Sequence, residues 1–236
     1  MKVVILAGGK GSRLSEYTSK IPKPMVKIGN KPMIVHIINS FIRYGHKDFI
    51  IAGGYKSHFI KEYFEKNNNK IKNARIRVIK TGLNTLTALR IKKLEKYIKN
   101  ETFMLTYGDG ISNVNLKKLI NFHKKNKKTV TMTAVHPPAR FGELQFNNER
   151  IIKFEEKPQL QKGWINGGYF VLNSNIFELL DRKNIMFERE PISKLVKSKQ
   201  ICAFPHKDFW ACVDTKRDKE LLDDLIANEK FEWLRN

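Results

Sequence analysis

Short apolar runs, many of them β-branched, recur along the chain at residues 3–6, 49–52, 76–79, 103–107 and 130–135. Each is bounded by glycine or charged residues and is too short for a helix, so each predicts a strand. Between them, apolar positions return at helical spacing over 33–44, 58–67, 87–98 and 116–125. That alternation predicts an α/β fold: a Rossmann-like central sheet, mixed but mainly parallel, flanked by helices. After Gly142 the pattern tightens. The runs 144–146 and 151–154 flank Asn147-Asn148, which reads as a hairpin turn, and a mixed sheet is expected in this part. Helices are predicted after Asn173 and around 187–197, strands at 201–204 and 210–213, and a last helix after Thr215. No repeat, Ser/Gly linker or low-complexity tract divides the chain, so 1–236 reads as one domain with two halves, about 1–135 and about 136–236.

Composition narrows the setting. The chain has 236 residues, of which 41% are hydrophobic, enough for a core that needs no disulfide or structural metal. No uncharged apolar run approaches the roughly 18 residues of a membrane helix. The start, MKVVILAGGKGSRL, passes into glycines and charges rather than a signal-peptide cleavage pattern, so a cytoplasmic address without a membrane partner is expected. Cys202 and Cys212 have no His or Cys cluster around them and are read as reduced core thiols. Lys and Arg number 45 against 23 Asp and Glu, a net charge of +22. The lysines are dispersed through helices instead of forming an arginine-rich arm, which favours a solvated basic surface over a nucleic-acid footprint. The same field attracts anionic nucleotides and sugar phosphates.

The first strand runs into Leu6-Ala7-Gly8-Gly9-Lys10-Gly11-Ser12-Arg13-Leu14. Glycines at the carboxyl edge of a parallel sheet let the backbone approach a phosphate closely, although tight turns also use glycine for purely structural reasons. The spacing matches neither GxGxxG nor GxxxxGK[ST]. Arg13 adds a planar cation, and Lys23, in Ile21-Pro22-Lys23-Pro24-Met25, offers an ammonium from a proline-stiffened segment. Downstream, the strand ending at Tyr107 leads into Gly108-Asp109-Gly110, which places one carboxylate at the sheet edge, a disposition suited to magnesium. Asp214 precedes the last helix and, taken alone, reads first as a helix cap, since Asp commonly caps helices, with a second carboxylate ligand as the alternative. Phe141-Gly142-Glu143, Glu156-Lys157-Pro158 and Ile165-Asn166-Gly167-Gly168 combine close backbone approach with isolated polar groups, as sugar sites do; Glu-Lys-Pro alone would also suit a solvated turn.

With LAGGKGSRL, KIPKPM, YGDG, EEKP and INGG in this order, the chain resembles the sugar nucleotidyltransferases, or nucleoside-diphosphate-sugar pyrophosphorylases, over nearly its whole length. Three departures stand out: Ser12 where threonine is usual, Ile21 where relatives carry lysine, and Thr87-Ala88-Leu89-Arg90 in place of Thr-Gly-Gly-Arg. The resemblance implies the nucleotide-diphospho-sugar transferase fold and a nucleotide site in the first half. That site comprises Leu6, Ala7, Gly8, Gly9, Gly11, Ser12, Arg13, Lys23, Thr87, Arg90, Gly108 and Asp109. It further implies Mg²⁺ on Asp109 and Asp214, and a sugar-phosphate site in the second half at Gly142, Glu156, Lys157 and Asn166. Arg13, Lys23 and Asp109 would carry catalysis. The partners implied are a nucleoside triphosphate and a sugar 1-phosphate, not nucleic acid, and a homo-oligomer stays open. The motifs lean toward the branch that transfers CMP from CTP to a hexose 1-phosphate such as glucose 1-phosphate, with a uridylyl- or thymidylyltransferase, or a non-catalytic nucleotide-sugar binder, as the alternatives.

Overall fold

The structure, a computed structural model, describes residues 1–67, 71, 74–98, 100–137, 142–155, 163–230 and 233. Its centre is a sheet of seven strands: β1 (Val3–Ala7), β2 (Asp48–Gly53), β3 (Arg75–Lys80), β4 (Phe103–Tyr107), β5 (Val130–Val135), β6 (Ile165–Leu172) and β7 (Ile201–His206). They lie in the order β7-β5-β6-β4-β1-β2-β3. Every neighbouring pair is parallel except the two made by β6, which runs antiparallel to β4 and β5. The expected mixed, mainly parallel sheet is therefore present. Because side chains alternate along a strand, β1 feeds two cores: Val3, Ile5 and Ala7 pack on one face, Val4 and Leu6 on the other. The first core takes in Ile34, Phe41 and Phe49, and the second Ile91, Leu94 and Phe170. Each such side chain contributes about 1.5–3 kcal/mol on full burial.

Three features differ from the sequence pattern. First, β6 had no strand signature, because Asn166-Gly167-Gly168 interrupts the apolar alternation; its pairing with β5 shifts register between Asn166 and Phe170 at that point. With eight residues, it is the longest strand of the sheet rather than a short one. Second, the helix expected over 87–98 divides into Thr87–Lys92 and Glu95–Ile98. The ladder tightens to three-residue steps between them, with Leu94 N donating to Ile91 O at 2.9 Å and Tyr97 N to Leu94 O at 2.9 Å. Third, Gly110–Ser112 pairs antiparallel with Trp210–Cys212, about a hundred residues away. This small ribbon fixes the position of Asp109, whose carbonyl accepts from Val213 N at 3.0 Å.

The hairpin expected around Asn147-Asn148 forms between Glu143–Asn147 and Arg150–Glu155, with Asn148 in the left-handed region that such a turn demands. Cys202 lies on β7 and Cys212 on the ribbon, both free thiols as expected, but half-buried rather than fully in the core. No helix among the described residues is long and apolar enough to cross a membrane.

Candidate active site

All the candidate residues the structure describes, apart from Gly142, gather along the edge where β1, β2 and β4 end and β6 begins. The glycine loop leaves β1 there. Gly11 has φ +66°, a conformation that disfavours side chains, and its carbonyl accepts from Leu14 N and Thr18 Oγ1, both at 3.0 Å. Gly9, Gly11 and Ser12 line a cavity of about 220 Å³ with Leu6, Ala7 and Gly108, closed on its far side by Arg13, Lys23, Asp109 and Asp214. The loop thus presents bare backbone to a small space rimmed by charge.

At that rim the two aspartates meet. Lys23 Nζ lies 2.7 Å from Asp109 Oδ2 and 2.7 Å from Asp214 Oδ1, and Arg13 Nη1 lies 2.8 Å from Asp214 Oδ2. Burial alone would lower the Lys23 ammonium, but the two carboxylates outweigh it and hold it above its ordinary range. Lys23 is 9% exposed, whereas the Arg13 side chain is 74% exposed and open to a ligand. The competition between cap and ligand for Asp214 resolves in geometry. The helix Lys216–Ala227 is capped by Thr215, which shares a reciprocal capping box with Asp218, so the Asp214 carboxylate faces Lys23 and Arg13 instead.

This pair also fits a divalent cation. A cationic group already sits between the carboxylates, and donor atoms of Asp109, Cys212 and Asp214 lie within 4.8 Å of one another. Burial and the adjacent aspartates push the Cys212 thiol far above its ordinary range, so it stays protonated, and a hard ion finds its oxygen ligands in the carboxylates.

Arg13, Asp109 and Asp214 are also one wall of a second cavity, about 750 Å³, that extends beneath β6 and past Tyr107, Asn166, Glu188 and Trp210. Asn166 is held at both ends: its amide nitrogen donates to Tyr107 Oη at 3.2 Å and its oxygen accepts from Gly168 N at 2.8 Å. Trp210 Nε1 donates to Gly167 O at 2.8 Å. A still larger groove of about 930 Å³ opens at the opposite edge of the sheet, among Lys2, Lys47, Asp48, Arg75, Arg77 and Glu101; Asp48 pairs with Arg75 and Glu101 with Lys2, and no glycine loop lines it.

Two residues expected at the nucleotide are placed differently from the rest. Arg90 is buried, and its guanidinium donates to Gly53 O at 3.1 Å, Gly82 O at 3.2 Å, Thr85 O at 2.5 Å and the Thr81 hydroxyl. It presses against the glycine loop from behind: a Cβ on Gly8 would stand 2.0 Å from Arg90 Cζ. Arg90 therefore braces the loop. Arg90→Met, which orphans several buried acceptors, is expected to cost about 3 kcal/mol, a fall in Tm of about 6–12 °C readable by thermal melting. Thr87 is committed too, its hydroxyl donating to Glu188 Oε2 at 2.6 Å while accepting from Phe187 N at 2.7 Å. Gly142 stands just before the hairpin and lines neither cavity. Glu156 and Lys157 lie outside the described residues.

The match to known proteins follows the same residues. The family pattern described as nucleotidyl transferase covers residues 2–218. The chain belongs to the nucleotidyl transferase family. This nucleotidyltransferase is 40% identical over 253 residues to a glucose-1-phosphate cytidylyltransferase of Salmonella typhimurium, an alignment covering 99% of this chain and 98% of the relative. It is 32% identical over 225 residues to a mannose-1-phosphate guanyltransferase of Saccharomyces cerevisiae, covering 92% of this chain and 62% of that protein. Its fold matches HddC from Yersinia pseudotuberculosis complexed with GMP-PN at a TM-score of 0.76 and 26% identity, over 95% of this chain and 99% of that one. Enzymes of this nucleotidyltransferase family join a nucleotidyl group to a sugar 1-phosphate and use a divalent metal ion.

Glu188, Tyr107 and Trp210 are the site residues that sequence reasoning passed over as such. Tyr107 and Trp210 stood next to motifs already marked, but Glu188 lies in a stretch, Met186-Phe187-Glu188-Arg189, with no local signal at all.

Proposed function

We propose that this nucleotidyltransferase transfers CMP from CTP to a hexose 1-phosphate, glucose 1-phosphate first among candidates, with Mg²⁺ as its metal. The observation that carries the chemistry is the convergence of Asp109 and Asp214 on one cationic position beside Arg13 and the glycine loop. The choice of CTP and glucose 1-phosphate rests on the likeness to the Salmonella enzyme along the full chain.

The reaction needs no protein nucleophile. A phosphate oxygen of the sugar phosphate attacks the α-phosphorus in line and pyrophosphate leaves from the opposite side, so the protein's task is alignment and charge neutralisation. The bare backbone at Gly9 and Gly11 supports close approach of the triphosphate. Arg13, exposed and planar, can take two phosphate oxygens at once and follow the charge onto the departing pyrophosphate. Lys23 lies where it can exchange carboxylate for phosphate oxygen with a small displacement. Asp109 and Asp214 would hold Mg²⁺, which when bound neutralises phosphate oxygens and orients them. Lys157, as the family resemblance implies, would hold the attacking sugar phosphate, with Gly142, Glu156 and Asn166 around the hexose.

The test is pyrophosphate release with Mg²⁺ and glucose 1-phosphate, supplying CTP, UTP, dTTP, ATP and GTP one at a time. Release with CTP at least about tenfold faster than with any other nucleotide is expected, a difference of about 1.4 kcal/mol in transition-state binding. Preference for UTP or dTTP would reassign the base and keep the mechanism. Silence with every nucleotide and several hexose phosphates would end the catalytic reading.

A further inference from the structure

Glu188 is a carboxylate in the wall of the 750 Å³ cavity, and no lysine or arginine among the described residues pairs with it. Its partners are two neutral hydroxyls: Thr87 Oγ1 donates to Oε2 at 2.6 Å and Tyr107 Oη donates to Oε1 at 2.5 Å. Both hydroxyls are locked in that sense. Thr87 accepts from Phe187 N and Tyr107 accepts from Asn166 Nδ2, so each has spent its one proton on Glu188. The carboxylate still has lone pairs to spare, because each oxygen accepts only one of these bonds.

The cavity therefore offers two kinds of site. Its cations, Arg13 and beside it Lys23, are grouped with Asp109 and Asp214, whereas Glu188 is a carboxylate with no cation paired to it among the described residues. A phosphate is repelled from Glu188, whereas a sugar hydroxyl, which donates a proton, is drawn to it. Taking the proposed transfer as the reaction, we propose that Glu188 is a specificity-determining residue that accepts a hydrogen bond from a ring hydroxyl of the hexose. Asn166, braced through Tyr107, faces the same space and shares the reading of that hydroxyl. The ribose of the nucleotide offers similar hydroxyls; the hexose is favoured because Glu188 and Asn166 line the larger cavity and not the smaller one formed by the glycine loop.

The experiment combines enzyme and substrate variants. Wild type and Glu188→Gln, which keeps the side chain's shape, are assayed with glucose 1-phosphate and its 2-, 3-, 4- and 6-deoxy analogues, and with ribose- and deoxyribose-nucleotides. In wild type, loss of the hydroxyl that Glu188 reads is expected to lower kcat/KM by about 10- to 100-fold, the range of a hydrogen bond to a charged group. In Glu188→Gln that penalty shrinks to within about threefold, KM for glucose 1-phosphate rises several-fold, and KM for the nucleotide is unchanged. The inference falls if every deoxy penalty survives in the variant, if the penalty that collapses belongs to the ribose, or if all substrates weaken equally with a lowered Tm, the mark of a structural role. A wild-type enzyme inactive with all pairs sinks the parent reading as well; an active one with unaltered penalties sinks this inference alone.

Discussion

Asp109→Asn is expected to lower pyrophosphate release by about 10³-fold while leaving the unfolding midpoint within about 3 °C of wild type, because in the proposed mechanism the carboxylate serves developing charge on phosphate rather than a core. The geometry gives both halves of that expectation. Asp109 is neutralised by Lys23 at 2.7 Å, but Lys23 keeps a second carboxylate, Asp214, at the same distance, so loss of one acid leaves the ammonium paired. Asparagine preserves the shape and the contacts of the loop, including the Asp109 carbonyl that accepts from Val213 N. What it would remove is one of the two carboxylates proposed to hold the divalent ion, whose charge would otherwise offset that of the triphosphate. Steady-state kinetics beside a thermal melt decides the matter. Turnover within about tenfold of wild type would remove Asp109 from the metal site.

How far this site could be read without coordinates depended on whether each residue's role was local. The glycine loop and Asp109 follow short apolar runs directly, so a strand-then-glycine pattern places both at the carboxyl edge of a parallel sheet, and there they are. Lys23 was legible through its proline-stiffened segment. Asp214 was ambiguous because Asp and Thr stand side by side and both cap helices; only the Thr215–Asp218 box releases the aspartate for another task. Three features were closed to sequence reading for physical reasons. Gly167-Gly168 breaks the alternation by which β6 would declare itself a strand. The inward turn of Arg90 depends on carbonyls from Gly53, Gly82 and Thr85, which arrive from two separate loops. Glu188 acquires meaning only when residues 87, 107 and 188 meet, two contacts that span 101 and 81 residues.

Lys23→Met should separate two roles that wild type superimposes. Turnover is expected to fall about 10²- to 10³-fold, the loss of one preorganised cation facing phosphate. Metal binding should move the other way. The Lys23 ammonium lies between Asp109 and Asp214, so a divalent ion held by both carboxylates must displace it or share them with a positive neighbour. Methionine has similar length and no charge, and it leaves two facing carboxylates with Arg13 as the one cation of the former set. Mn²⁺, followed by electron paramagnetic resonance without nucleotide, is then expected to bind at least about tenfold more tightly, a modest share of the Coulomb energy between close charges near a protein surface. Stability supplies an independent reading. Without metal the variant carries two half-buried carboxylates with Arg13 on Asp214 and no Lys23 ammonium between them, and it melts lower than wild type; saturating Mn²⁺ restores more of that loss than it adds to wild type, as linkage requires of an ion that binds the folded form alone. Unchanged or weaker Mn²⁺ binding would mean that the ammonium and the metal hold separate positions, and that Lys23 faces phosphate without ever standing in for the ion.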